Sequence, residues 1–378
     1  MDERLKREAK GMINLNPLQT GSVLGDVAKE ALMEWCDGNA VCDFNFGRID
    51  LVDKPPFKRF IHEDLKEFLG CDDLRPTNGS RESKFIIVHS LCKPGDSMIV
   101  DTNAHYTTRL AAERTGAKLI EVPKTEYPDY LITKEAWKDT LEGLKEKERE
   151  EIKVALLTYP DGLYGDVPDA KAITKTCHEY NIPVIINGAY SVGRMPVRLD
   201  DIGADFLIAS GHKSMMSSGQ IGVLATTDEY KNVIFRRGSK DEKELEMMGY
   251  SARGPALITL LASFPEVKER VKHWDDEVKK ARRFSDQVAG IGMKQLGEKP
   301  HNHDLMLFET PMFDQIAQTH KKRGFFLYRE LKKRNIAGIM PGCTKTFKLS
   351  TYGLTRDQIE YTADAFQEIA KENGLTVS

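Results

Sequence analysis

Residues 204–226, ADFLIASGHKSMMSSGQIGVLAT, set two apolar runs on either side of a turn of small residues that holds His212 and Lys213. Each run has the length of a buried strand. In open α/β sheets ligands gather at the carboxyl ends of strands, so Lys213 is either a turn residue reaching into water or an amine held against a ligand. The same pattern extends outward. SMIVD (97–101), AKLIEVP (117–123), KVALLTYP (153–160) and IPVIIN (182–187) are further short apolar runs, with helical candidates such as RLAAERTGA and ITKTCHEY between them. The alternation predicts an α/β fold with a mostly parallel central sheet covered by helices on both faces.

KEAWKDTLEGLKEKEREEI (134–152) has helical periodicity and a charged outer face, and reads as solvated scaffold. After Pro265, PEVKERVKHWDDEVKKARRF (265–284) reads as one long helix leading to a smaller C-terminal α+β domain. The expected division is an N-terminal segment at 1–40, a large domain at 41–270 and a small domain at 271–378.

The 378 residues, 40% hydrophobic and 30% charged, suffice for a large buried core. No apolar run approaches the roughly 20 residues of a membrane helix. The start, MDERLKREAK, lacks the apolar core of a signal peptide, so a cytoplasmic protein is expected. Six irregularly spaced cysteines then read as free thiols. A net charge of -3 gives no global attraction to nucleic acid, so RNA binding needs a local patch. Candidates are Lys279, Lys280, Arg282 and Arg283; Lys321, Lys322 and Arg323; and Lys332, Lys333 and Arg334, with solvated helix faces as the plain alternative.

Four strand ends carry chemistry. In TNGSRESKF (77–85), Gly79 and Ser80 open a helix whose free N–H groups suit a phosphate, and Arg81 adds a charged fork; a simple capped helix start is the alternative. His105 follows SMIVD and suits stacking on a flat ring or proton transfer, or a packed cap. Asn187 closes IPVIIN and offers one directed hydrogen bond to a ring nitrogen, or forms a turn. Lys213, flanked by Ser210, Gly211 and His212, becomes a nucleophilic amine if desolvated among cations. In this order the four describe a site for pyridoxal phosphate.

On these residues, and on LNPLQTG, VCDF, TYPDGLYG, NGAYSVGRMPV, ARGPALITLLASFP, HNHDLM, FFLYRELK and FKLSTYGL, the chain resembles the O-phosphoseryl-tRNA:cysteinyl-tRNA synthase family of fold-type I pyridoxal-phosphate enzymes. The resemblance spans about residues 15–375. It implies an archaeal cytoplasmic homodimer that exchanges the phosphate of phosphoserine on tRNA for sulfur. Its partners would be the phosphoserylated tRNA, a sulfur donor and the phosphoseryl-tRNA synthetase. Lys213 would carry the cofactor and later remove the α-proton. Gly79, Ser80, Arg81, Ser210, Gly211 and His212 would form the phosphate end, His105 would stack, and Asn187 would meet the ring nitrogen, where most fold-type I enzymes have an aspartate. Arg81, His105 and Arg253 would hold the leaving phosphate. No metal site is expected.

The family also implies three cysteines for sulfur transfer or an iron–sulfur cluster, in CDFC and GC-[ST]-ARG runs. Here only Cys42 remains; Asn45 and Tyr250 stand in the other two places, and Cys36 is six residues before Cys42. The alternatives are a cysteine desulfurase or decarboxylase of the same fold, or a non-catalytic paralogue binding the charged tRNA. A desulfurase needs a mobile-loop cysteine, and none falls between Cys177 and Cys343.

Overall fold

The computed structural model describes residues 9–37, 54–239, 244–247 and 254–375. Cys42, Asn45, Tyr250 and Arg253 lie outside the described residues. The strands in chain order are β1 (Ile13–Asn14), β2 (Asp73–Thr77), β3 (Ser97–Asp101), β4 (Lys118–Val122), β5 (Ile152–Thr158), β6 (Val184–Asn187), β7 (Phe206–Ser210), β8 (Gly222–Thr226), β9 (Lys294–Leu296), β10 (Leu305–Glu309), β11 (Ile336–Ala337) and β12 (Thr346–Ser350).

Seven of them form the central sheet in the order β2-β8-β7-β6-β5-β3-β4. All its pairings are parallel except those of β8, which runs antiparallel to both β2 and β7. Each apolar run quoted above forms one of β3 to β8. The edge strand β2 (DLRPT) is not announced by its residues: it has two charges and Pro76, which a strand tolerates at a sheet edge.

Period-two alternation loads both faces of the sheet. On β5, Ala155 and Leu157 pack into one core with Trp137, Ile186 and Leu207, while Val154 and Leu156 pack into another with Met98, Ile185 and Ile208. Burial on both faces is what a helix-covered sheet requires.

Two expected helices are divided. The 134–152 stretch becomes helices Lys134–Gly143 and Glu146–Glu150 followed by the start of β5, and it is more than scaffold, since Trp137 and Leu141 are fully buried. The 265–284 stretch becomes helices Gly254–Val271 and Trp274–Ala289 with a turn at Lys272 and His273. Pro265 lies within the first of these, where its missing N–H removes one helical bond without ending the helix. The bridging is done by the second helix: Trp274 and Val278 join the sheet's core, and Ala281, Phe284 and Val288 join the C-terminal core.

That C-terminal core lies against an antiparallel sheet of order β12-β10-β9 and includes Phe308, Phe313, Phe326 and Phe366. Leu15 also belongs to it, because β1 pairs in parallel with β11. The chain's early residues are thus built into the C-terminal layer.

After β3 the chain runs outward to β4 and returns to β5 on the other side of β3. Such a reversal opens a crevice at the carboxyl ends of the strands.

Candidate functional site

A cleft of about 830 Å³ lies at these strand ends. It is lined by Gly79, Ser80, Arg81, His105, Asn187, Ser210, His212 and Lys213, so the four separate strand-end signals meet in one place. Gly211 sits just beneath, where a Cβ would come within 2.7 Å of Ile221 Cγ2 and Ser217 Oγ.

At one end the backbone is drawn close. Gly79, at φ +122°, precedes the twelve-residue helix Ser80–Leu91. Gly222 on β8 supports this loop, since a Cβ there would fall 2.5 Å from the Gly79 Cα. Glu82 accepts from the Asn78 backbone N–H at 2.6 Å and holds the turn. Across it, His212 Nδ1 donates to the Ile221 carbonyl at 3.1 Å, which leaves Nε2 to accept from the Ser210 hydroxyl at 3.3 Å. Small residues, hydroxyls and a helix N-terminus make a cradle for an anion.

The Lys213 amine lies 5.1 Å from the centre of the Tyr190 ring and pairs with no carboxylate among the described residues. Burial, with Arg194 and Lys348 adding positive charge, holds its pKa below the usual lysine value. The turn beneath it is fixed from three sides. Arg194 donates to Ser214 Oγ at 3.1 Å and to the Pro17 carbonyl at 2.7 Å; Arg270 donates to the Gly193 carbonyl at 2.7 Å and to that of Ser214. At Gly21 a Cβ would lie 2.5 Å from the Lys213 carbonyl oxygen.

Asn187 is 6% exposed, and its Oδ1 has no protein partner. A buried amide oxygen left so is expensive, and a hydrogen-bond donor on a ligand in the cleft would satisfy it. Behind the cleft, Asp101 Oδ2 accepts from Thr158 N at 2.8 Å and Thr158 Oγ1 at 2.9 Å, while burial pushes its carboxyl up to about 7.

His105 caps helix Tyr106–Thr115 with Nδ1 facing Thr107 and its ring open to the cleft. Burial, then the charges of Lys84, Lys213, Lys348 and Arg81, push it down to about 4, so the ring is neutral.

Sequence reasoning missed Lys84, Arg194, Tyr190, Arg270 and Lys348. Lys84, Tyr190, Arg194 and Lys348 lie inside motifs quoted above, but nothing in a linear pattern says that a lysine in a helix or an arginine in a turn is buried. Cys36 is exposed, with its thiol donating to the Met33 carbonyl at 3.1 Å.

The three basic runs part ways. Lys279 pairs with Asp276, Lys280 with Glu277 and Arg283 with Glu360, while Arg282 donates to His301 O and Asn302 Oδ1. Lys333 pairs with Glu330, and Arg334 with Glu330, Glu368 and Glu372. Lys321, Lys322 and Arg323 are exposed and have no ion pair among the described residues. Asp166, Glu298 and His301 bring donor atoms within 4.8 Å of one another. Yet His301 Nε2 donates to the Leu305 carbonyl at 2.7 Å and its Nδ1 accepts from Gln295 at 3.0 Å, so the ring offers no free nitrogen.

A flat anionic aldehyde such as pyridoxal phosphate fits this donor set: an anion cradle, an unpartnered amide on the floor, an imidazole at the wall and an amine with a lowered pKa. A family model described as O-phosphoseryl-tRNA(Sec) selenium transferase, SepSecS, matches residues 92–371. The O-phospho-L-seryl-tRNA:Cys-tRNA synthase of Methanosarcina mazei is 51% identical over 369 residues, 97% of this chain and 96% of that protein. A crystal structure of a SepCysS–SepCysE N-terminal domain complex matches with 46% identity and a TM-score of 0.91 over 98% of each chain. The fold is also that of fold-type I enzymes: a cysteine desulfurase from Thermococcus onnurineus gives a TM-score of 0.76 at 15% identity over 96% of each chain. A structure described as SPT with PLP gives 0.71 at 15% identity over 96% of this chain and 88% of that one.

Proposed function

The chain belongs to the O-phospho-L-seryl-tRNA:Cys-tRNA synthase family, and from that membership we propose that it replaces the phosphate of phosphoserine carried on tRNA with sulfur, using pyridoxal phosphate. The observation that carries the reading is the convergence of Lys213, Asn187 and the Gly79–Ser80 loop on one cleft. When bound, the cofactor supplies an electron sink for negative charge at the substrate α-carbon.

The residues of the chain supply the rest. Ser80, Ser210 and His212, with the helix N–H groups, would hold the cofactor phosphate; Asn187 would meet the ring nitrogen and His105 would lie against the ring. An amide stabilises a protonated ring nitrogen less than a carboxylate does, which suffices when the leaving group is phosphate. Lys213 takes the α-proton on Nζ, because its lowered pKa favours the free base. Arg81, His105 and Lys348 would face the phosphate as the β-carbon to oxygen bond breaks; sulfur then adds at that carbon while Lys213 returns its proton to the α-carbon. Arg253 joins them in the sequence-based reading. Cys42 is the residue we assign to carrying sulfur.

Around the mouth of the cleft, Leu18 is 49%, Tyr106 62% and Leu163 39% exposed. Apolar side chains ringing a polar site suit cover by a second copy, so we assign a homodimer. The unpaired cations Lys321, Lys322 and Arg323 are the surface assigned to tRNA. The phosphoseryl-tRNA synthetase is the proposed supplier of substrate, and the cytoplasm the proposed location; no helix among the described residues is long and apolar enough to cross a membrane.

The test is direct: protein loaded with pyridoxal phosphate, phosphoserine-charged tRNA and sulfide should yield tRNA-bound cysteine. A phosphoserine-tRNA left unchanged under these conditions overturns the reading.

A further inference from the structure

Lys84 lies in helix Ser80–Leu91, is 2% exposed and forms part of the cleft wall. No carboxylate pairs with it among the described residues. Its amine instead donates to Thr108 Oγ1 at 2.8 Å and to Thr107 Oγ1 at 3.1 Å. A lysine kept from water with two neutral hydroxyls for company is costly to the fold, which asks what the placement does.

The next bond answers. Thr107 Oγ1 lies 2.9 Å from His105 Nδ1, and the Thr107 backbone N–H donates to the same nitrogen at 3.4 Å. A backbone N–H only donates, so Nδ1 accepts and carries no proton. With Lys84 donating into the Thr107 oxygen, the hydroxyl proton turns toward Nδ1 as a second donor. The proton of the neutral imidazole is then on Nε2, which has no protein partner among the described residues and opens on the cleft.

We propose that Lys84 is a positioning residue: by donating to Thr107 Oγ1 it aims the Thr107 hydroxyl at His105 Nδ1 and fixes His105 as the Nε2–H tautomer facing the reacting groups. This rests on the cleft being the reaction site. An Nε2–H group donates to an anionic oxygen of cofactor or leaving phosphate, whereas the other tautomer would present a lone pair to the same oxygen. Without Lys84 the Thr107 oxygen is free to accept from Nδ1–H at 2.9 Å, and only the longer 3.4 Å contact with the Thr107 backbone N–H still favours a bare Nδ1, so the other tautomer gains population. The charged groups around the lysine are Asp101, which favours its ammonium form, and Lys213 and Arg81, which oppose it. Burial and these cations bring it down to about 7.

The experiment reads the tautomer itself. In protein labelled with ¹⁵N-histidine, the His105 signals, assigned by their loss in His105→Gln, should show Nε2 protonated and Nδ1 bare. Lys84→Met should move both resonances toward a tautomer mixture and lower turnover about tenfold or more with KM for charged tRNA little changed. Thr107→Val should do the same and Thr107→Ser should not, so the relay through the Thr107 hydroxyl stays testable even if Lys84→Met folds poorly. An unchanged ¹⁵N pattern in Thr107→Val and Lys84→Met overturns the proposal. If the functional reading itself is wrong, the wild type fails to turn over while the ¹⁵N pattern still answers.

Discussion

Arg194 Nη1 donates to Asp304 Oδ2 at 2.9 Å, and neither side chain is exposed at all. Arg194 belongs to the turn that braces Lys213, and Asp304 precedes β10 of the C-terminal layer, where Ser350 on β12 also donates to it. One buried ion pair therefore ties the lysine turn to both layers. Burial alone would raise the Asp304 carboxyl, but the charge of Arg194, with His303 beside it, holds it below the usual carboxylate range.

Removing one partner of such a pair strands a buried charge. Asp304→Asn should cost about 3–5 kcal/mol in urea unfolding, and Arg194→Met a comparable amount, whereas the double variant should lose less than the sum. The sign with pH follows from the depressed pKa: the stabilisation is present above the unfolded carboxylate value near 4 and disappears as pH falls through the folded one. A double variant whose loss equals the sum of the two single losses would show that the pair is not coupled.

Lys213 should be the residue through which cofactor is held. Borohydride treatment of the loaded protein should leave a label on the peptide containing Lys213, and Lys213→Ala should lose it. Because Lys348 lowers the Lys213 pKa through its positive charge, Lys348→Met should move the pH dependence of trapping to higher pH. A label that maps to another lysine, such as Lys84, would relocate the site.

The sheet was legible because strands buried on both faces are mostly apolar, with polar residues such as Asp101 and Ser210 confined to their ends, and β3, β7 and β8 are buried at every position. Asn187, His105 and Lys213 were legible because each closes such a run or follows it closely. β2 was not, since an edge strand with Pro76 lacks that pattern, and neither was the break at Lys272, where the helix direction is set by which core receives Trp274 and which receives Phe284. Arg194 and Lys84 were invisible for another reason. Their roles depend on burial and on partners 110 and 23 residues away, Asp304 and Thr107, and spacing along the chain carries no trace of either.

The carboxyls of Asp166 and Glu298 should make the fold sensitive to mild alkali. Asp166 Oδ1 accepts from Glu298 N at 2.7 Å, while its Oδ2 is buried without a partner. Burial, with Asp161 adding like charge, pushes Asp166 up to about 8, and burial pushes Glu298 up to about 7. Both values stand above the unfolded ones of about 4, so between about pH 4 and 8 the folded chain binds more protons and stability falls as pH rises through that window. The wild-type Tm should therefore drop from pH 5 to pH 8.5 more steeply than that of Asp166→Asn, which keeps the acceptor for Glu298 N and cannot ionise. Parallel Tm profiles would mean that Asp166 is ionised throughout.

Phosphoserylated tRNA should bind across a basic turn that β12 links to the cleft. Of the basic runs, Lys321, Lys322 and Arg323 have no ion pair among the described residues, and Phe325 just after them is 53% exposed. A Cβ on Gly324 would lie 2.9 Å from the Gly342 carbonyl oxygen, so this turn touches the loop leading to Lys345 and β12. Three residues on, about 10 Å along the strand, Lys348 reaches the cleft. A nucleic-acid backbone anchored on the turn is thus within a few phosphates of the site. Replacing the three cations with serine should weaken tRNA binding and lower the slope of log K against log salt by about one for each phosphate that is no longer neutralised. The cofactor absorbance should stay as in the wild type. The same change at Lys279, Lys280 and Arg283, whose charges are already matched by Asp276, Glu277 and Glu360, should leave that slope almost unaltered. If the two triple variants alter the slope equally, the tRNA backbone lies elsewhere.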